Sequence, residues 1–346
     1  MAEVLGLGIS HWPRLHDLDD TFAKRLRANL QHPDIPADVK DMANWPAPMR
    51  AEWEAGMDAA AAHREKLLAG IRKARAALDD FKPDAIVVWG DDQYENFRED
   101  IVPPFCVLAY KEDLHVQPHG PHGNPWDEPT DHSFHVRMAP EVGHYLTSRL
   151  IESSFDVAYA YKPLHRKDLS HAFMNVVLYL DYDRKGFAYP MVPFTINCYG
   201  SDVICNRGSV PKIKATERHL DPPAPSPLRC FDLGRATARA MRASPWRICL
   251  MASSSWSHAF LCAKYWQMHP DVENDRRLYD ALVKGDYEAW RQTPLAQVVD
   301  AGQQEVLNWF CLMGAMYELN AHLSWSDYVE TYIFNSNKVT VIYDPV

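Results

Sequence analysis

The chain has 346 residues, 47% hydrophobic and 24% charged, which is enough apolar material for a sizeable globular core in one large α/β domain or two. With 36 Lys plus Arg against 46 Asp plus Glu the formal charge is −10, and no basic stretch exceeds the mixed run 72–75, which argues against a nucleic-acid partner. No window approaches the ~20 apolar residues of a membrane helix, and no basic segment precedes an apolar core at the N-terminus, so a cytoplasmic protein without a membrane partner is expected. The seven cysteines, without a CxxC pair, are expected as reduced, mostly buried thiols.

In chain order, the apolar run Val4–Ile9 predicts a strand that Pro13 terminates, leaving His11 at its C-terminal lip. Residues 17–81 are charged and alanine-rich, with Met57, Ala60, Leu67, Leu68, Ile71 and Leu78 near helical spacing, and predict a helical insert broken near Pro33 to Pro48. Ala85 to Trp89, bounded by Gly90-Asp91-Asp92, predicts a buried parallel strand whose last residues point into a crevice. A Pro- and Gly-rich loop follows at 118–129. Then come a helix over 140–152, a strand over 156–161, a helix opening at Ser170-His171 and a strand over 191–197. A proline-rich surface excursion over 203–228 leads to a helix (233–243), a strand (246–252), a largely helical stretch to Tyr317 and a last strand over 339–343. The alternation predicts a single α/β domain with a mostly parallel central sheet flanked by helices, plus the N-terminal helical insert.

Three histidines share one context. His11, His171 and His258 each follow a serine where a strand or loop turns into the next element. Strand C-termini in open α/β sheets build the ligand crevice, so these junctions are expected to converge on one site; the alternative is a serine N-cap followed by a first-turn histidine. His115, His119, His122, His132 and His135 form a histidine-rich loop that is either a second metal site or a solvated cover. Gly6 and Gly8 make no phosphate-binding pattern, and Ser255-Trp256-Ser257 is no nucleophile elbow.

Five motifs in order give the chain its resemblance to a family. They are Ser10-His11-Trp12-Pro13; Val87 through Phe97, which includes Asp92-Gln93-Tyr94, with Pro103-Pro104-Phe105 behind it; His171 ahead of Val192-Pro193-Phe194-Thr195-Ile196-Asn197; Ser254-Ser255-Trp256-Ser257-His258; and Glu305 through Gly314-Ala315. A sixth element, Asn335-Ser336-Asn337, sits where the family has a Ser-Asn turn. The chain resembles the class III extradiol ring-cleavage dioxygenases, of the protocatechuate 4,5-dioxygenase catalytic-subunit and gallate dioxygenase type.

The resemblance implies a non-haem Fe(II) site, with Mn(II) as a second possibility, held by His11, Gln93 and Glu305. His258 would be the acid/base residue and His171 a catalytic contact to substrate or oxygen. Trp256, Asn337 and Tyr94 would bind the small aromatic substrate, which is opened with O2. Gln93 stands where the family has its second histidine ligand. A neutral amide oxygen preserves the charge of the site and suits Fe(II), Mn or Mg better than Zn. Asp92 or His63 could instead supply that bond, or the metal could be absent. A metal-dependent hydrolase or lyase on the same scaffold is the alternative activity. Relatives of this type carry a separate small helical subunit over the pocket, so the 17–81 insert is expected to act as a lid in cis, with Trp45, Met49 or Trp53 at the crevice, or else as a dimerisation arm. A homo-oligomer is expected.

Overall fold

Strand β1 (Val4–Ile9) is buried at all six positions. Val4 belongs to one apolar layer and Leu5, Leu7 and Ile9 to the other, so the sequence reads as an unbroken apolar run. A Cβ at Gly8 would fall 2.4 Å from the Trp309 ring and one at Gly6 2.2 Å from Met316 Sδ, so these glycines admit the Leu307–Leu319 helix against the sheet. They serve packing.

The computed structural model describes residues 2–120, 123–200, 206–208, 211–213 and 222–346. After β1 come β2 (Ala85–Gly90), β3 (Phe105–Leu108), β4 (Leu114–Val116), β5 (Phe134–Val136), β6 (Ala158–Ala160), β7 (Met191–Ile196), β8 (Ile248–Ser253), β9 (Leu323–Val329) and β10 (Lys338–Tyr343). Eight of them form one sheet in the order β6-β3-β7-β2-β8-β1-β10-β9. The centre, β7-β2-β8-β1, is parallel, whereas β10 and β9 add antiparallel pairs at one end and β3 pairs antiparallel with β7 at the other. Helices Pro140–Glu152, Pro227–Arg242 and Leu307–Leu319 cover one face; Ala47–Phe81 and His171–Leu180 cover the other. The domain is therefore α/β with a mostly parallel mixed sheet flanked by helices.

Strands β3 and β9 have no counterpart in the sequence reading. Strand β3 follows Pro103-Pro104 and is only four residues long. Strand β9 is half-buried and polar along most of its length, as an edge strand is. Half of the 203–228 excursion lies outside the described residues, and the helix expected over 233–243 opens at Pro227, a proline suited to a first helical turn.

The 17–81 segment differs from a detached insert. It contains short helices at Lys24–Leu30 and Ala37–Lys40, then the long Ala47–Phe81 helix, kinked at Gly56 where φ is +55°. Beyond the kink, Leu67, Leu68, Ile71, Ala74 and Leu78 pack onto the sheet with Leu5 and Leu7, so this half of the helix is a layer of the domain itself. No helix among the described residues is long and apolar enough to cross a membrane. The six described cysteines are free and buried.

Candidate active site

The C-terminal ends of the central parallel strands supply the site. His11 lies two residues beyond β1, Asp91 directly follows β2, Tyr199 follows β7, and His258 sits on the turn after β8. His171 opens its helix, and Glu305 lies in the 3-10 turn Gln304–Val306 that leads into the Leu307–Leu319 helix. This is where an open α/β sheet places its ligands.

One ligand atom from each of His11, Asp91, His171 and Glu305 falls within 4.8 Å of the other three. His11 Nε2 is 3.3 Å from Glu305 Oε2 and 3.7 Å from Asp91 Oδ1; His171 Nε2 is 3.9 Å from Asp91 Oδ2. Each imidazole is aimed from behind. His11 Nδ1 donates to the Ser253 carbonyl at 2.9 Å, and His171 Nδ1 donates to Glu95 Oε2 at 2.8 Å, which turns both Nε2 atoms toward the cluster. Glu95 also receives the His171 backbone N–H at 3.1 Å and Arg166 Nη1 at 3.0 Å.

Asp91 and Glu305 are buried, and neither Asp91 oxygen nor Glu305 Oε2 has a hydrogen-bond partner. Buried carboxylate oxygens without donors are costly unless a cation answers them, and mixed imidazole and carboxylate donors suit Fe(II), Mn(II) or a similar divalent ion. The residues present therefore fit a metal. Electrostatics agree: burial and then repulsion from Glu305 push the Asp91 carboxyl up. Burial would lower His171, but Glu95, then Asp91 and Glu305, hold it up at about 10. Burial would also raise Glu305, which the neighbouring His258 and His11 imidazoles bring down.

The structure thus brings together His11, His171, His258, Glu305 and Gln93, and adds Asp91. His258 Nε2 is 3.4 Å from Glu305 Oε1, its Nδ1 is buried without a partner, and burial lowers its pKa below the ordinary imidazole value. Gln93 meets Glu305 with its donor end: Nε2 lies 3.2 Å from Oε1 and also donates to the Tyr199 hydroxyl, which in turn donates to Glu305. Gln93 and Tyr199 together thus hold the Glu305 carboxylate in place. Of the other donors weighed for that bond, Asp92 spends its carboxylate on the backbone N–H groups of Glu95, Asn96 and Phe97, and His63 is packed between Trp12 and Phe334 at ring distances of 5.4 and 5.0 Å. Neither belongs to the cluster.

Three expected substrate contacts are elsewhere. Trp256 is fully buried in the core against Trp290 and Trp309, because the turn after β8 directs it inward. Asn337 is also buried, donating to Asp275 at 2.7 Å and accepting from Thr331 N–H, so it braces the turn that carries His258. Tyr94, with φ of +60°, turns its hydroxyl to Glu99 and its ring to Arg98. From the predicted Asn335-Ser336-Asn337 turn it is Asn335 that reaches the cavity, with φ of +68° and a buried, unpartnered Oδ1. Among the described residues the loop histidines form no ligand group: His115 and His135 pair across β4 and β5, Glu128 binds His119 and the Arg184 guanidinium with His132 3.8 Å away, and His122 lies outside the described residues.

Above the cluster is a cavity of about 470 Å³. His171, His258, Gln93 and Glu305 form its floor, Trp12, Phe22 and Phe260 supply aromatic walls, and Lys24, Arg25 and Ala28 of the Lys24–Leu30 helix line it with Arg14. Trp45, Met49 and Trp53 do not line it; Trp45 and Trp53 pack on each other at 5.9 Å and Met49 is buried. The N-terminal segment does wall the crevice, through residues 22–28, which sequence reasoning passed over because their apolar spacing is weak.

A family model described as the catalytic LigB subunit of aromatic ring-opening dioxygenase matches residues 53–339. The match begins inside the Ala47–Phe81 helix, so residues 53–81 belong to the shared core. Among similar proteins, a 2,3-dihydroxyphenylpropionate/2,3-dihydroxicinnamic acid 1,2-dioxygenase of Comamonas testosteroni is 24% identical over 190 residues, 54% of this chain and 47% of that protein. One of the same description from Photorhabdus laumondii is 24% identical over 196 residues, 57% of this chain and 50% of that protein. One from Rhodococcus sp is 26% identical over 275 residues, 70% of this chain and 79% of that protein. The match spans about half the length of the first two.

Proposed function

Because the chain belongs to the family of the catalytic LigB subunit of aromatic ring-opening dioxygenases, we propose that its crevice opens a catechol- or gallate-type ring with O2 at a non-haem Fe(II) site, Mn(II) being the second candidate metal. The observation that carries this reading is the set of buried, unpartnered carboxylate oxygens on Asp91 and Glu305 clustered with the Nε2 atoms of His11 and His171, beneath an aromatic-walled cavity that Glu305 and His171 line. Those four residues are the proposed ligand sphere, with Gln93 and Tyr199 positioning Glu305. Fe(II) bound there supplies coordination for a vicinal diol and for dioxygen, and electron transfer between them.

The protein's own groups do the rest. Trp12, Phe22 and Phe260 hold the ring and exclude water. His258, kept neutral near pH 7 by burial, takes a catechol proton at Nε2 and returns it to the developing product. Asn335 Oδ1 accepts from a ring hydroxyl. Oxygen uptake with a panel of catechols, on protein reconstituted separately with Fe(II) and Mn(II), tests the proposal; metal retention without uptake on any catechol rejects it.

Asp91 supports a second reading. Two carboxylates beside two imidazoles make a more anionic centre than one acid would, and such a site also suits a metal that only polarises its substrate, as in a hydrolase or lyase. Turnover of an aromatic substrate under strict anaerobiosis would select it. We place the protein in the reducing cytoplasm as a homo-oligomer on its buried free cysteines and on the exposed Ile101, Tyr159, Tyr161 and Leu164 beside edge strand β6, a state that sedimentation analysis reads directly.

A further inference from the structure

The cavity is electrically polarised. Its lining carries the buried acid Glu305, which clusters with Asp91 beneath it, together with the cations Arg14, Lys24 and Arg25, in a chain whose formal charge is −10. These cations are not equivalent. Arg14 is already paired with Asp17 at 2.5 Å, and Lys24 is exposed to solvent. Arg25 is half-buried and lines the cavity, and no carboxylate among the described residues pairs with it. The next arginine on the same helix shows the ordinary arrangement: Arg27 is exposed and donates to the Asp20 carbonyl at 2.7 Å. Residues 24, 25 and 28 share the helix face turned to the cavity, so Arg25 is held there by the packing of Leu26 and Asn29 on the other side, both buried.

A partly desolvated guanidinium without a counter-ion is unfavourable unless something occupies it, and its planar fork is matched to a carboxylate. We propose that Arg25, assisted by Lys24, binds a carboxylate carried on the side chain of the aromatic substrate, so that the ring enters with its diol toward Glu305 and its anionic tail toward the Lys24–Leu30 helix. The diol end of this orientation rests on the ring-opening reading above; the anion site at Arg25 does not. The volume of about 470 Å³ sits within the roughly 300–1,000 Å³ of small-molecule sites and admits one substituted ring. The fold then sorts substrates by charge at one end and by metal chelation at the other, with Phe22 and Trp12, in edge contact at 4.5 Å, between them.

The test compares 3-(2,3-dihydroxyphenyl)propionate with its methyl ester, which keeps the diol and the tail but removes the charge. Affinities are read anaerobically by calorimetry on the metal-loaded full chain, and oxygen uptake is measured separately. The acid should bind at least about 10-fold more tightly than the ester. Arg25→Gln should reduce that preference by roughly 10- to 100-fold, the worth of a charge-assisted hydrogen-bonded pair. Arg25→Lys, which conserves the charge and protects against a folding artefact, should restore part of it; Lys24→Gln should reduce it less, and less again at high salt. An acid preference identical in Arg25→Gln and the parent, or an ester bound as tightly as the acid by the parent, overturns the proposal. Oxygen uptake with no charge preference leaves ring opening standing and removes the Arg25 subsite; the charge preference without oxygen uptake on either compound does the reverse.

Discussion

Replacing Glu95 by Gln separates two roles for His171. Glu95 receives three donors, His171 Nδ1–H at 2.8 Å, His171 N–H at 3.1 Å and Arg166 Nη1 at 3.0 Å. A glutamine offers one acceptor oxygen, and its amide hydrogens must then face at least one of those donors. A donor left unpaired costs about 1–3 kcal/mol when buried, and Glu95 is 15% exposed, so the metal-free variant should lose stability toward the lower end, about 1 kcal/mol. The larger consequence is for the imidazole. Without the carboxylate behind it the His171 ring is free to rotate and to change tautomer, and loss of such a support typically lowers metal affinity about 10- to 100-fold. Because a bound metal stabilises by RT ln(1 + [M]/Kd), the same factor removes about 1.4–2.7 kcal/mol of metal-induced stabilisation at a fixed excess of metal. Chelator competition reads the affinity, and melting with and without Fe(II) or Mn(II) reads the stabilisation. If Glu95→Gln lowers metal-free stability but leaves the metal-induced increment at its parental size, His171 is not a ligand, and its part is the substrate contact that the resemblance implied.

The remaining predictions are shorter. Asp91→Asn should leave the fold intact and lower the metal recovered after dialysis, measured by elemental analysis; full occupancy would remove Asp91 from the ligand sphere. His258→Phe should cut turnover on the order of 10² to 10⁴ with metal content unchanged, and parental turnover would end its acid/base role. Gly8→Ala should cost about 1–3 kcal/mol in denaturant melts, since the added Cβ would sit 2.4 Å from Trp309. His63 is buried, and burial holds its pKa well below the ordinary value. The unfolded chain takes up that proton near pH ~6.5 and the folded one does not, so stability should fall as pH drops below ~6.5, and His63→Gln should flatten that slope; an unchanged slope would show that His63 does not set it.

The parts of the fold legible in the sequence are those where burial on both faces writes a plain signal. Strands β1, β2, β7 and β8 are continuous apolar runs because helices cover both sides of the parallel centre, and the Pro140–Glu152 and His171–Leu180 helices carry a proline or a serine at their start. Where one side is solvent, the signal fades: β9, at the edge of the sheet, reads LSWSDYV. The 17–81 segment reads as a helical insert for a different reason. Its charge and alanine content describe the exposed side of the Ala47–Phe81 helix, while the apolar stripe that joins the helix to the sheet is thin.

In the site, His11, His171 and His258 were legible because each follows a serine at the end of a strand or loop, and Glu305 through the resemblance, whereas Asp91 was hidden by its neighbour. Asp91 and Asp92 are adjacent acids after the same buried strand, and sequence alone does not tell which one closes the turn. The backbone decides it. Asp92 accepts three successive N–H groups, those of Glu95, Asn96 and Phe97, and is spent on structure; Asp91 accepts none and points into the cluster. Gly90 makes this possible, because a Cβ there would lie 2.8 Å from the Phe173 ring, and any larger residue would push away the helix that presents His171. Small residue, free acid and capping acid thus form one unit at the end of β2. It seats the His171 helix, supplies the cluster with a carboxylate and turns the chain so that Gln93 reaches Glu305 through its amide hydrogens.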